Sequence, residues 1–244
     1  MSFLDSCLLQ DYALLEKYKT EFNNQTPNHF YTSDFFSPKD AQTILKEWPS
    51  ATAPWKTSQP LINFGVGRKS EINDLKDMGD YTQSIFKVLR SKEFIESIEF
   101  ITGIYNLHPD PYMHGCGLVN TPKNGFLKIH ADFNFFDKIK KYRRINIIIY
   151  MNEEWKPEWN GNINFYSEDL STIIKTYPPL FNNFLLFRVT DKVFHGYPEL
   201  IDCPTGMYRK SINFFYYTDE PDKDQAVEPH KTLWKTNKGE DIPY

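Results

Sequence analysis

Five short runs rich in β-branched and aromatic residues dominate the second half of this chain: FLKIHADF, INIIIYMN, GNINFYS, FLLFRV and SINFFYYT, all within residues 126–218. Turn-forming residues separate them. Strand-length apolar runs spaced this closely point to an all-β core rather than to helices. INIIIYM (145–151) is the richest apolar run, and it is strand-length, far short of the roughly 20 residues that span a bilayer. Its near-continuous hydrophobicity predicts a strand buried on both faces. GNINFYS alternates, as a half-buried strand does. Residues 168–182 read as a connection that is partly strand.

The first hundred residues carry a different period. Residues 5–22 place apolar groups at helical spacing and predict a first helix. SPKDAQTILKEW predicts a second, with Ser37 as N-cap, Pro38 in its first turn and Asp40 complementing the helix dipole. Residues 49–70 are rich in Pro, Gly and Ser and predict loop with short strands. INDLKDMGDYTQSIFKVLRSKEFIESIEFITGI holds two helical patterns with a break at Ser91–Lys92.

Within the β-rich half, His130 and Asp132 stand two apart in KIHADFN, and His195 lies in KVFHGYP. Side chains two apart on a strand share a face, and at about 3.3 Å rise per residue their Cα atoms are about 7 Å apart. Two imidazoles and one carboxylate leave open positions on a metal, the donor set of non-haem Fe(II) oxygenases. Alone, an HxD is more often a polar turn beside a strand; the ordered strands and the third histidine give it weight. Arg209 follows His195 by fourteen positions. A planar two-pronged cation is suited to hold a carboxylate there.

These blocks, from SKEFIESIEFITGI through HPDPYMHGCG, FLKIHADFN, RRINIIIYMNEEW, GNINFY and FHGYPE to YRKSINFFYYT, occur in an order that resembles the 2-oxoglutarate/Fe(II)-dependent dioxygenases of the prolyl-4-hydroxylase-like superfamily over roughly residues 80–219. The resemblance implies an Fe(II)/2-oxoglutarate-dependent dioxygenase that hydroxylates an unactivated C–H and converts 2-oxoglutarate to succinate and CO2. His130, Asp132 and His195 would be metal ligands and the catalytic centre. Arg209 would anchor the 2-oxoglutarate C5 carboxylate, with the Tyr150 hydroxyl near it. Fe(II), 2-oxoglutarate, O2 and ascorbate as reductant are the implied cofactors. Leu127 and Asn120 stand where prolyl hydroxylases often carry tyrosines, and Gly161–Asn162 where many members have two glycines. The substrate is either a prolyl or other residue of a peptide or protein, or a small molecule. The alternatives are a catalytically silent jelly-roll binding protein and a cupin-like metalloenzyme that does not use 2-oxoglutarate.

The expected fold is α+β, mainly β: a double-stranded β-helix, or jelly roll, with N-terminal supporting helices. Residues 1–219 would form one domain, 1–100 the helical support and 101–219 the core. Residues 220–244 would be a tail, draped over the domain or partly disordered, with Trp234 pinning it. Asn146 shares a strand face with Tyr150 and Ser211 with Arg209, so both are candidate co-substrate contacts. Asn134 is either a turn residue or faces the mouth. Arg143 or Arg144 reaches the free oxygen of Asp132, or stands as an exposed strand-edge cation. Trp55 and Arg68 lie in a loop able to cover the site. His29, His108, His114 and His230 read as structural or surface groups.

A net charge of −4 argues against general nucleic-acid binding. The basic run KIKKYRR (138–144) is a solvated loop between strands or a phosphate contact. Three scattered cysteines, Cys7, Cys116 and Cys203, give neither a disulfide framework nor a zinc motif, and with no secretory signal they predict a reducing, cytoplasmic setting without membrane attachment.

Overall fold

The structure, a computed structural model, describes residues 11–57, 65–236 and 240. Helix α1 (Tyr12–Asn24) begins after Asp11, whose carboxylate accepts from the amides of Ala13 and Leu14. The cap fixes the start at residue 12; the earlier part of the expected helix, 5–10, lies outside the described residues. Strand β1 (His29–Thr32) follows, then α2 (Pro38–Lys46), where Ser37 caps through the Asp40 amide as its sequence predicts. Short strands β2 (Lys56–Thr57), β3 (Val66–Gly67) and β4 (Ser70–Ile72) lead to α3 (Asp80–Leu89) and α4 (Lys92–Thr102). Ser91 caps α4 at the expected break, and Gly103 ends it in the left-handed conformation.

The β-rich half comprises β5 (His108–Pro109), β6 (Gly117–Pro122), β7 (Phe126–Ala131), β8 (Phe135–Phe136), β9 (Lys141–Tyr150), β10 (Ile163–Tyr166), β11 (Ile173–Tyr177), β12 (Phe184–Arg188), β13 (His195–Tyr197), β14 (Tyr208–Thr218) and β15 (Leu233–Trp234). They form two antiparallel sheets. The larger runs β1-β12-β9-β14-β6-β4-β2, with β5 against β14 and β8 against β9. The smaller runs β11-β10-β13-β7-β15, with β3 against β7. The fold is the expected jelly roll.

Strand alternation divides the core into two layers. Ile145, Ile147, Ile149, Ile212 and Phe214 face outward from the large sheet and bury the apolar stripes of the helices, among them Tyr18, Phe22, Phe86 and Ile98. Tyr150, Leu185 and Phe187 face inward and meet Ile163 and Phe165 of the small sheet. The helices therefore stiffen one sheet from outside, which leaves the space between the sheets for a chamber. No helix among the described residues is long and apolar enough to cross a membrane. Residues 138–140 form the turn between β8 and β9, where Lys140 pairs with Asp137 at the surface; this end of the basic run is solvated loop.

Candidate active site

Strand β7 presents His130, and Asp132 follows just beyond its end. His195 opens β13, directly opposite His130 in the antiparallel register. The approach is close because Gly196 intervenes; a Cβ there would stand 2.6 Å from the Lys128 carbonyl. The donor atoms of His130, Asp132 and His195 lie within 4.8 Å of one another and all three residues are buried. Each histidine places Nδ1 against a backbone carbonyl, Lys128 O at 2.9 Å for His130 and Val193 O at 3.1 Å for His195. Nδ1 therefore carries the proton and donates, and each Nε2 lone pair points at the shared space, 3.6 and 3.7 Å from the Asp132 carboxylate.

Charge at this centre is set by the opposite sheet. Burial works against ionisation of Asp132, but the Arg143 guanidinium, 3.5 Å away, and the two imidazoles outweigh it and hold the carboxyl well below the usual range. Burial, with His130 beside it, pushes His195 down to about 3. At neutral pH the set is thus a carboxylate with a neutral His195, the protonation states a divalent metal requires. Asn146 Nδ2 donates to Asp132 Oδ2 at 2.6 Å while its Oδ1 accepts from Arg143 Nε at 2.8 Å. Asn146 lines the chamber, and its amide is engaged with the Asp132 carboxylate.

Arg143 reaches Asp132 because of a bulge. The pairing of β9 with β14 runs Tyr216 to Ile145 and then Tyr217 to Arg143, so one residue, Arg144, is extra. Strict alternation from Asn146 would turn Arg144 inward; the bulge turns Arg143 inward instead, stacked over Phe215 at 3.5 Å and Phe133 at 4.6 Å. Arg144 faces away and pairs with Asp222 at 2.7 Å.

At the other end of the chamber sits Arg209 on β14, 3% exposed. Its Nε donates to the Gly161 carbonyl at 2.7 Å and its Nη2 to the Tyr150 hydroxyl at 3.4 Å. Burial raises the Tyr150 phenol, so it remains a protonated hydroxyl. The guanidinium lies 4.3 Å from the Tyr197 ring centroid and 5.0 Å from that of Tyr150. Among the described residues no carboxylate pairs with it. A buried cation without an anion is costly, so this end fits an acid brought from outside. Ser211 lines the same wall, and its hydroxyl donates to Asn213 Oδ1 at 2.9 Å.

One cavity of about 270 Å³ holds His130, Asp132, His195, Asn146, Arg209 and Ser211 on its walls. Leu127 lines it too, whereas Asn120 points to the outer face of the large sheet and accepts from the Trp48 indole. Asn134 is neither an exposed turn residue nor a mouth residue: it is fully buried, and its amide bonds the backbone of residues 226, 228 and 230. Trp55 packs against the helical core, away from the chamber. Arg68 follows β3, beside Val66 and Lys69 of the cavity wall. Of the other histidines, His114 also lines the chamber, while His29 is buried against Tyr177 and His108 and His230 meet surface carboxylates. Tyr197 was not anticipated; its position two after His195 on one strand is the signal that finds it.

Residues 116–217 match the model of the 2OG-Fe(II) oxygenase superfamily, a span that contains all three donors and Arg209. No curated protein matches the sequence. Among solved structures, a Pseudomonas putida prolyl-4-hydroxylase shares the fold at TM-score 0.55 and 14% identity, over 84% of this chain and 98% of that one. A Trichoplax adhaerens prolyl hydroxylase in complex with a hypoxia inducible factor oxygen degradation domain peptide fragment matches at TM-score 0.55 and 15% identity, over 85% and 94%. HygX from Streptomyces hygroscopicus, with nickel, 2-oxoglutarate and hygromycin B bound, matches at 0.51 and 12%, over 82% and 86%.

Proposed function

We propose that this chain, a 2-oxoglutarate- and Fe(II)-dependent oxygenase by its matched segment, holds iron through His130, Asp132 and His195 and receives the distal carboxylate of 2-oxoglutarate at Arg209. The observation that carries the assignment is the pairing of a buried three-donor set, with Asp132 ionised and His195 neutral, with a buried guanidinium that pairs with no carboxylate among the described residues, at opposite ends of one chamber. When bound, Fe(II) with 2-oxoglutarate and O2 supplies the oxidising chemistry that hydroxylates a C–H while 2-oxoglutarate becomes succinate and CO2.

The protein's own residues bind, orient and shield. Arg209 offers a planar fork to the C5 carboxylate, and Tyr150, protonated throughout the physiological range, adds a hydroxyl beside it. Asn146 and Arg143 fix both oxygens of Asp132 so that it cannot swing away from the histidines. Ile148, Ile163 and Phe187 keep the wall between the two ends apolar and exclude water. Ser211 supports the wall near Arg209.

At about 270 Å³ the chamber lies just below the roughly 300–1,000 Å³ of ligand pockets. It must also take the co-substrate, so only one side chain or one edge of a small molecule reaches the metal. A peptide residue and a small molecule both satisfy this, in line with the peptide-bound and hygromycin-bound relatives. Cys116 and Cys203, buried and free, are consistent with work in a reducing compartment.

The test is O2-dependent succinate formation from 2-oxoglutarate by purified protein with Fe(II), screened over peptides and small molecules. Wild type is expected to form succinate and Asp132→Ala to form none. Succinate formation that survives Asp132→Ala would contradict the assignment.

A further inference from the structure

The last described residues of the chain do not hang from the domain. Strand β15 extends the small sheet, with Leu233 opposite Ala131 and Trp234 opposite His130. Alternation sends Leu233 to the outer face, against Ile129, Ala131 and Phe194. It sends Thr232 and Trp234 inward, onto the chamber wall. The Trp234 ring lies 4.7 Å from the His130 ring at 33°. Behind it is Gly65, where a Cβ would stand 2.3 Å from the indole. The indole is thus held between a glycine that no other residue could replace without displacing it and an imidazole of the metal centre.

The approach to β15 is tied down before it reaches the site. Asn134, two residues beyond Asp132, donates to the carbonyls of Ala226 and Glu228 at 2.8 and 3.0 Å and accepts from the His230 amide at 2.8 Å. Gln225 donates to the Arg143 carbonyl at 2.7 Å. His230 meets Asp191 at 2.9 Å. Two of these anchors therefore grip the stretches of chain that carry Asp132, just beyond β7, and Arg143 on β9.

We propose that this carboxy-terminal segment, which lies outside the matched span 116–217, is a working wall of the metal chamber, and that Trp234 is a positioning residue that fixes the ring plane of His130. The inference rests on His130, Asp132 and His195 forming the metal site. With the indole in place, His130 presents Nε2 in one orientation. Without it, the ring gains freedom about χ2 and the chamber opens on that side.

Cobalt(II), a paramagnetic stand-in for Fe(II), tests this without turnover. One equivalent added to chelator-treated, full-length protein should produce the visible d–d absorption of a bound cobalt and quench tryptophan emission, while diamagnetic zinc should not quench. In Trp234→Phe, which retains a flat ring, the absorption should persist while most of the quenching disappears, although four other tryptophans remain. Trp234→Ala should bind cobalt about 10- to 100-fold more weakly, as loss of a supporting contact to a metal ligand does, with an altered absorption; Trp234→Phe should restore the affinity. Quenching in Trp234→Phe equal to wild type, or a Trp234→Ala affinity and spectrum unchanged from wild type, would overturn the role of Trp234 alone. If wild type shows no cobalt absorption, the metal-site assignment itself is overturned.

Discussion

Two buried arginines face the same chamber and differ in one respect. Arg143 and Arg209 are 4% and 3% exposed, and each lies against two aromatic rings, Phe133 and Phe215 for one, Tyr150 and Tyr197 for the other. Arg143 faces a carboxylate built into the fold, Asp132. Arg209 faces none among the described residues. Stacking keeps a guanidinium flat and its edge donors free, so the anion decides what each does. A built-in anion makes Arg143 part of the framework that ionises and aligns Asp132, a donor of the proposed metal site. The open position is what the proposed role of Arg209, as receptor for an acid from solution, rests on.

The contrast breaks most sharply at Arg209. Arg209→Ala should leave cobalt(II) affinity unchanged and weaken 2-oxoglutarate binding to the metal-loaded protein by about 2–5 kcal/mol, the cost of truncating one side of a buried charge pair. Arg209→Lys should recover little, because an ammonium lacks the fork. Isothermal titration checks both, and equal loss of metal and co-substrate would erase the distinction between the two ends.

Arg143→Met should do the reverse. Metal affinity should fall about 10- to 100-fold, since the substitution removes the charge that holds Asp132 ionised. The same metal-loaded protein should still bind 2-oxoglutarate through Arg209. A Met chain of similar reach keeps the volume between Phe133 and Phe215 filled, so folding should survive, as a thermal melt would show.

A smaller effect comes from the anchor. Asn134→Ala removes three hydrogen bonds to the backbone of residues 226, 228 and 230, which together cost about 1–3 kcal/mol, read as a lower urea midpoint. Smallest is His230. Burial opposes its charge, but the bond to Asp191 and that to the Lys231 carbonyl outweigh burial and raise its pKa. A group raised on folding stabilises fully below the ordinary histidine value and loses that contribution as pH rises through the raised one. The wild-type advantage in Tm over His230→Gln should therefore be present at pH 5.5, at most about 3 °C for a partly exposed pair in a chain of this size, and shrink by pH 8.5.

What the sequence made legible follows from locality. Ser37, Pro38 and Ser91 mark helix starts through bonds made within three residues, and they were readable. His130 and Asp132 share a face by strand parity, and His195 and Arg209 fall in β-runs whose order is itself a pattern. Parity failed at Arg143 and Arg144 because the bulge at Arg144 exchanges the two faces, and a bulge leaves no mark in hydrophobic periodicity. The work of Asn134 was hidden because its partners lie some 92 to 96 positions away. Strand β15 has two residues, too few for any period to show, which is why residues 220–244 read as a tail although the described part of that segment completes the ligand sheet.

The most direct measurement is an anaerobic titration of the Fe(II)-loaded protein with 2-oxoglutarate, following the visible charge-transfer band of a keto acid chelated to iron. The band should grow to saturation at one 2-oxoglutarate per iron in wild type and require far higher concentrations in Arg209→Ala. An absent band despite bound iron, or an Arg209→Ala titration that overlays wild type, would contradict the division of the chamber into a metal end and an acid-receiving end.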